Sequence, residues 1–173
     1  MRILQSIAAI ALTLSAAPAF SADDAAVTRA LDRQTAGDLL VTWEMARDST
    51  DLPRLREILT ADAQLTTPAG VALKNRDDIV RSVEGENGRL NPGLAEGKFG
   101  IVRHVIANLQ VELHGDAAKI SCYDLTIVYN KEAKRPEISE IGRTEADAVK
   151  VKGKWHLKAV RARLDNQTNQ ELL

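Results

Sequence analysis

The chain has 173 residues, 27% of them charged and only 3% aromatic, with a formal net charge of −1 and one cysteine. A balance this close to neutral creates no field that would gather nucleic acid or an anionic membrane, so neither is expected as a partner. The lone Cys122 excludes an intrachain disulfide and, lying in a strand-like segment, reads as a buried thiol.

The N-terminus reads as a secretory signal. Met1 and Arg2 precede an apolar run from Ile3 to Ala17, and Ala17-Pro18-Ala19 offers small residues of the kind a signal peptidase recognises. Cleavage is expected after Ala19 or Ala22, giving a periplasmic or secreted product. The run is shorter than the roughly 20 apolar residues that a membrane anchor needs. Removing Arg2 takes the net charge from −1 to −2. About 150 residues then remain, enough for one hydrophobic core but not for two comfortable domains. The domain is expected over residues 23–165, with a polar tail over 166–173.

Helices come first. Asp23 or Asp24 can cap a helix in which Val27, Leu31, Leu39, Trp43 and Met45 recur at roughly helical spacing, with Gly37 in its middle. A short helix over 52–59 follows Asp51 as N-cap with Pro53 in its first turn. Residues 63–67 and 71–73 read as two short strands around Pro68-Ala69-Gly70, and another short helix carries Ile79, Val80 and Val83. Residues 84–100, rich in Gly, Asn and Pro, read as a surface loop, either a lid or plain connection. Longer strands are expected over 101–114, 118–130, 137–152 and 155–164. Helices followed by long antiparallel strands make an α+β domain with helices against one face of a curved sheet.

Chemistry concentrates on the first long hairpin. His104 and Asn108 are four apart on one strand, so a strict period of two aims an imidazole and an amide into the same space. Both faces of that strand are mostly apolar, and one layer of helices cannot cover two faces. The outer face is therefore expected to pair with a second copy, giving a homodimer. Tyr123 and Tyr129 share one face of the next strand, where either can supply a phenol to a cavity or fill a core. Trp155, after a Lys-Gly-Lys turn, reads as packing over the end of the sheet. His104, His114 and His156 are too dispersed to defend a metal site, so no metal or cofactor is expected. No Gly-x-Ser-x-Gly turn or Cys-His signature for nucleophilic catalysis is present.

The order of helix, LTADAQL, short helix, RHVIANLQVELHGDAAKISCY, IGRT and GKWHLKAVRARLD resembles the SnoaL-like polyketide-cyclase family of the nuclear-transport-factor-2-like superfamily, near the scytalone dehydratase branch. The resemblance covers nearly the whole domain. It implies a cone-shaped, cystatin-like architecture: a bent antiparallel sheet against N-terminal helices, enclosing an apolar pocket for a small ligand. It also implies a pocket acid at Asp48 and a pocket histidine at His104, a pair able to move a proton next to a carbonyl in a lyase or isomerase. Trp43 stands where relatives commonly carry Tyr, and Gly142-Arg143-Thr144-Glu145-Ala146 replaces a Gly-x-Tyr-x-Asp motif, so a phenol and a carboxylate are missing. Asp147 lies one step along and on the opposite strand face. Arg161 matches a basic position of the last strand and is a candidate carboxylate clamp. The implied ligand set is thus Trp43, Asn108, Tyr123, Tyr129 and Arg161 around His104 and Asp48. Whether the site turns a ligand over or only holds it stays open at this level.

Overall fold

The computed structural model describes residues 22–89 and 99–165. The elements run α1 (Ala22–Ser49), α2 (Leu52–Ile58), β1 (Leu59–Thr66), β2 (Ala72–Leu73), α3 (Arg76–Arg89), β3 (Phe99–His114), β4 (Ala117–Asn130), β5 (Arg135–Val151) and β6 (Lys154–Leu164). The strands form one curved, unclosed sheet in the order β2-β1-β6-β5-β4-β3. All pairings are antiparallel except β1 with β6, which is parallel, so the sheet is mixed rather than purely antiparallel. The α+β class is as expected, with α1 lying across β3, β4 and β6 on the inner face.

The core follows from alternation. On β4 the even positions are buried, with Ala118, Ile120 and Cys122 in the core shared with the helices and Thr126 and Val128 further along, and on β5 Thr144, Ala146 and Ala148 continue the layer. Helix α1 meets them with Ala36, Leu39, Leu40, Trp43 and Ala46, a stripe spaced three and four apart. That stripe begins only at mid-helix. Val27, Leu31 and Met45, expected on the buried side, are exposed because the first half of α1 packs on little and Met45 points away from the sheet. Cys122 is a buried free thiol, and burial, ahead of the neighbouring acids, pushes it up to about 12.

Local signals place most of the ends. Asp51 caps α2 by accepting from the Arg54 N–H at 3.0 Å, and Asn75 caps α3 by accepting from the Asp78 N–H at 2.8 Å. Helix α3 runs on to Arg89 and β3 begins at Phe99, so the expected loop is partly regular. Residues 90–98, on which the lid expectation falls, lie outside the described residues, as do the signal segment and the tail. No helix among the described residues is long and apolar enough to cross a membrane. Trp155 is buried at the end of the sheet and donates its indole N–H to Asp32 at 3.1 Å, while Lys150 reaches the same carboxylate at 2.5 Å. This pair ties α1 to the β5–β6 hairpin.

Two glycines separate tight from tolerant positions. A Cβ on Gly142 would lie 2.2 Å from the Arg163 carbonyl oxygen, a backbone atom that cannot turn aside. A Cβ on Gly37 would meet only the Leu109 and Val111 side chains, at 3.2 Å. In urea unfolding, Gly142→Ala is expected to cost about 2–3 kcal/mol or more. Gly37→Ala is expected to be near neutral, helix propensity of up to about 1 kcal/mol offsetting a small repacking.

Candidate functional site

The C-terminus of α1 is fixed before any chemistry is considered. The Asp51 N–H donates to the Ala46 carbonyl at 2.8 Å and the Thr50 N–H to the Arg47 carbonyl at 3.1 Å, the two bonds of a Schellman stop. Thr50 occupies the left-handed position at φ 54°, where a β-branched residue is an outlier. This abrupt end holds Asp48 in the last helical turn, with Glu44 one turn earlier on the same side.

Asp48 then makes two bonds to one residue. Its Oδ1 lies 2.7 Å from His104 Nδ1, and its Oδ2 accepts the His104 backbone N–H at 3.1 Å. The side chains are largely buried, at 14% and 11% exposed. With Asp48 as the acceptor, Nδ1 carries the proton and Nε2 is left as the acceptor nitrogen. Burial pulls the imidazole pKa down, but the hydrogen bond to Asp48, with help from Glu44 and Asp124, outweighs burial and Arg47, so it ends raised. The expected pair of Asp48 and His104 is therefore brought together.

Glu44, Arg47 and Asp124 complete the cluster and were not singled out from the sequence. Glu44 is 3% exposed and pairs with Arg47 at 2.8 Å, while the Arg47 guanidinium lies 5.6 Å from the Trp43 ring centroid. Burial raises the Glu44 pKa, and Arg47 opposes it. Asp124 sits on the inner face of β4, paired with Ile106 of β3 and Gly142 of β5. Its pKa is raised by burial, against the pull of His104 and Arg47. The signals were faint but real: Glu44 is four residues before Asp48, and Asp124 is a carboxylate inside a strand, where that residue type is depleted.

Glu44, His104 and Asp124 each place one ligand-type atom within 4.8 Å of the others. Arg47 already occupies the Glu44 carboxylate and Asp48 takes His104 Nδ1. A dication there would sit beside a fixed guanidinium, so the cluster reads as a proton-sharing group, not a coordination sphere.

Several expected ligand residues are placed elsewhere. Asn108 does not share the His104 face. Ala107 pairs with Tyr123 and Gln110 with Ser121, so Asn108 and Leu109 together oppose Cys122 in a β-bulge, with Asn108 exposed at φ 53°. The bulge resets the alternation: Leu109 and Val111 now face α1, as their contact with Gly37 shows. Tyr123 and Tyr129 point from the outer face, 45% and 40% exposed, because the inner face of β4 belongs to even positions. Trp43 is 1% exposed in the core, with no surface left for a ligand. Arg161 is also on the outer face, bonded to Asp147 at 2.8 Å, and so does not clamp a ligand beside His104. Asp147 takes the face opposite the site, as one strand step requires. His114 is exposed at its strand end, and His156 lies 3.1 Å from the Glu57 carbonyl. Two recesses, of about 380 and 290 Å³, lie on the outer side, the larger lined by Lys119, Arg143, Asp147 and Arg161, the smaller at the Asn108 bulge.

The linkage has one sign. Glu44, Asp124 and His104 all bind protons more tightly folded than unfolded, so the stability they contribute is present at low pH and lost as pH rises through their folded values. The carboxylates with lowered pKa, such as the half-buried Asp32 and the exposed Asp77, are ionised in both states above about pH 5 and add no slope there. The urea midpoint is expected to fall from pH 5 to 8, and Glu44→Gln to flatten that fall. A wild-type midpoint that rises over this interval contradicts the electrostatics described here.

Comparison with known proteins agrees with the fold. Residues 28–161 match the SnoaL-like domain family. No curated protein matches the chain. Among solved structures, an NTF2-like protein with a cystatin-like fold from Novosphingobium aromaticivorans superposes with TM-score 0.70 at 18% identity, covering 87% of this chain and 95% of that one. A provisionally assigned scytalone dehydratase from the same organism gives 0.64 at 16% identity, over 80% and 87%. A protein from Catenulispora acidiphila gives 0.69 at 16%, over 83% and 99%. At such identities the likeness is one of fold. With the family match spanning most of its length, the chain belongs to the SnoaL-like domain family.

Proposed function

We propose that this SnoaL-like domain holds a small carbonyl compound against the inner sheet face and moves a proton on it, as a lyase or isomerase built from side chains alone. The observation that carries the reading is the pair of hydrogen bonds by which the Asp48 carboxylate holds both the ring and the backbone N–H of one histidine. A carboxylate that fixes both the tautomer and the position of an imidazole is what general base catalysis needs. His104 Nε2 takes the proton from the carbon next to the carbonyl and returns it to the product or to a leaving hydroxyl. Asp48 orients the ring and stabilises the imidazolium. The provisional assignment of one structural neighbour as a scytalone dehydratase is consistent with chemistry of this class. Burial of Trp43 and the outward tyrosines favour a second reading, a receptacle that binds without turnover.

Deuterium exchange separates the two readings without knowledge of the substrate. A panel of enolisable aryl and β-hydroxy ketones is followed in heavy water by proton NMR. Exchange or dehydration is expected, falling about 100-fold or more in His104→Gln and in Asp48→Asn. Rates unchanged by His104→Gln on a folded protein overturn the dyad, and no exchange with any ketone favours the receptacle.

We further propose an exported homodimer. The apolar run after Met1-Arg2 supports export. Val105, Leu125 and Ile141 form one row across β3, β4 and β5 on the outer face, beside Ile127 and Ile138, and several of them are exposed. A patch of that kind is a docking surface in most soluble proteins. The recovered protein should have the mass expected for cleavage after Ala19 or Ala22 and sediment as a dimer, with Ile141→Lys shifting it to monomer. A monomeric wild type at tens of micromolar, roughly the range where weak dimers dissociate, defeats the dimer.

A further inference from the structure

The bulge on β3 gathers polar side chains on the side of the sheet away from His104. The recess there, of about 290 Å³, is lined by Asn108, Gln110, Ser121, Tyr123 and Arg143, with Leu109 at its wall. Asn108 reaches it because of the extra residue. At φ 53°, a backbone region that asparagine enters at less cost than most residues, it is turned out of the alternation that its neighbours follow. Each of the five polar side chains can donate a hydrogen bond, and no carboxylate lines the recess. The larger recess differs, because its Lys119 and Arg161 share the walls with Glu112, Glu145 and Asp147, and Asp147 holds Arg161 at 2.8 Å. The ion pair of Arg143 is loose by comparison: Glu145 lies 3.4 Å away with both side chains about half exposed, a contact that contributes little. Directly across the β5–β6 ladder from Arg143 stands Arg163, and like charges at opposed positions of an antiparallel pair repel. At this point of the outer face two arginines thus stand beside one carboxylate.

We propose that this recess binds a small, flat carboxylic acid in its ionised form, at a place separate from the Asp48 and His104 pair. The carboxylate lies on the Arg143 guanidinium, whose planar fork matches two oxygens, and Arg163 adds to the attraction. The neutral donors Asn108, Gln110 and Ser121 satisfy the remaining lone pairs. The flat body of the ligand lies along the Tyr123 ring and Leu109, two apolar surfaces that the fold leaves exposed. The volume of about 290 Å³ stands at the lower end of the range for small-molecule sites, roughly 300–1,000 Å³, so an acid with a single ring is the size that fits. A sulfate would satisfy the arginine but leave the aromatic wall unused, and a neutral ring would do the reverse. His104 is on the inner face, so the site does not depend on the acid/base reading above.

Benzoate serves as the probe. The chain has two tyrosines, Tyr123 in the recess and Tyr129 on the same face but outside it, so carbon-13 labelling of tyrosine rings places a reporter and a control in one NMR spectrum. In wild-type protein at low salt the Tyr123 signal is expected to shift with half-saturation at about 1 mM benzoate while Tyr129 stays still. Arg143→Gln is expected to weaken binding about tenfold or more, and Arg143→Lys, which keeps the charge without the fork, about three- to fivefold. Benzyl alcohol, the same ring without the charge, and sulfate, a charge without the ring, should each bind at least about tenfold more weakly than benzoate. His104→Gln, on the other face, should leave the affinity within about twofold. No Tyr123 shift up to about 20 mM benzoate, equal shifts of both tyrosines, sulfate or benzyl alcohol as tight as benzoate, or an affinity unchanged in Arg143→Gln each overturns the proposal. If His104→Gln removes binding and Arg143→Gln does not, the carboxylate sits at the inner-face pair and this proposal falls.

Discussion

The site depends on one carboxylate closing an open edge. Strand β3 is the last in the sheet, so half of its backbone groups face away from any neighbouring strand. Asp48 accepts one of those N–H groups, from His104, and in the same stroke holds the ring of that residue. A polar group that would otherwise need water is satisfied by a helix side chain, and the imidazole loses its rotational freedom. Because Asp48 sits in the last turn of α1, the Schellman stop at Thr50 sets where this bond can form. The left-handed Thr50 is local strain two residues from the acid, held in place by the helix end on one side and the Asp51 cap of α2 on the other.

Around that bond, charge is arranged by scarcity. The helix face supplies Glu44, Arg47 and Asp48, and the sheet supplies His104 and Asp124, in a region where little water reaches Glu44. Among the described residues one guanidinium faces these acids; burial raises Glu44 and Asp124, and the bond to Asp48 outweighs burial to raise His104. Arg47 stacks on Trp43, which secures the one permanent cation by packing as well as by its ion pair.

The sequence discloses the parts of this arrangement that depend on period and capping. Asp51 before Pro53 and the alternation of β4 place α2 and the second strand of the hairpin with little ambiguity. The pairing of Asp48 with His104 came through family resemblance, not through spacing, since 56 residues separate them. What failed is instructive in physical terms. Counting in twos puts Asn108 on the His104 face, and one extra residue at the bulge reverses every position after it. Val27 and Leu31 obey a helical repeat, yet the first half of α1 packs on little and leaves them uncovered, while Met45 sits on the far side of the helix from the buried Trp43 and Ala46. Tyr123 and Tyr129 were correctly placed together, but no periodicity states which face the helices choose. The parallel partner of β1 was invisible, because pairing direction between strands far apart in sequence leaves no local mark.

That parallel partner bears on how the molecule comes into being. β1 pairs with β6, the last of the described strands, so its parallel hydrogen bonds wait until β6 has been made. The β3–β4 hairpin can form early from local contacts, but the sheet gains its β1–β2 edge only at the end, after long loop closure. A ribosome-bound chain ending before Lys154 would carry β1 and β5 with exposed ladders, a species prone to stick to others of its kind. The arrival of β6 is thus also the commitment step of the sheet's assembly.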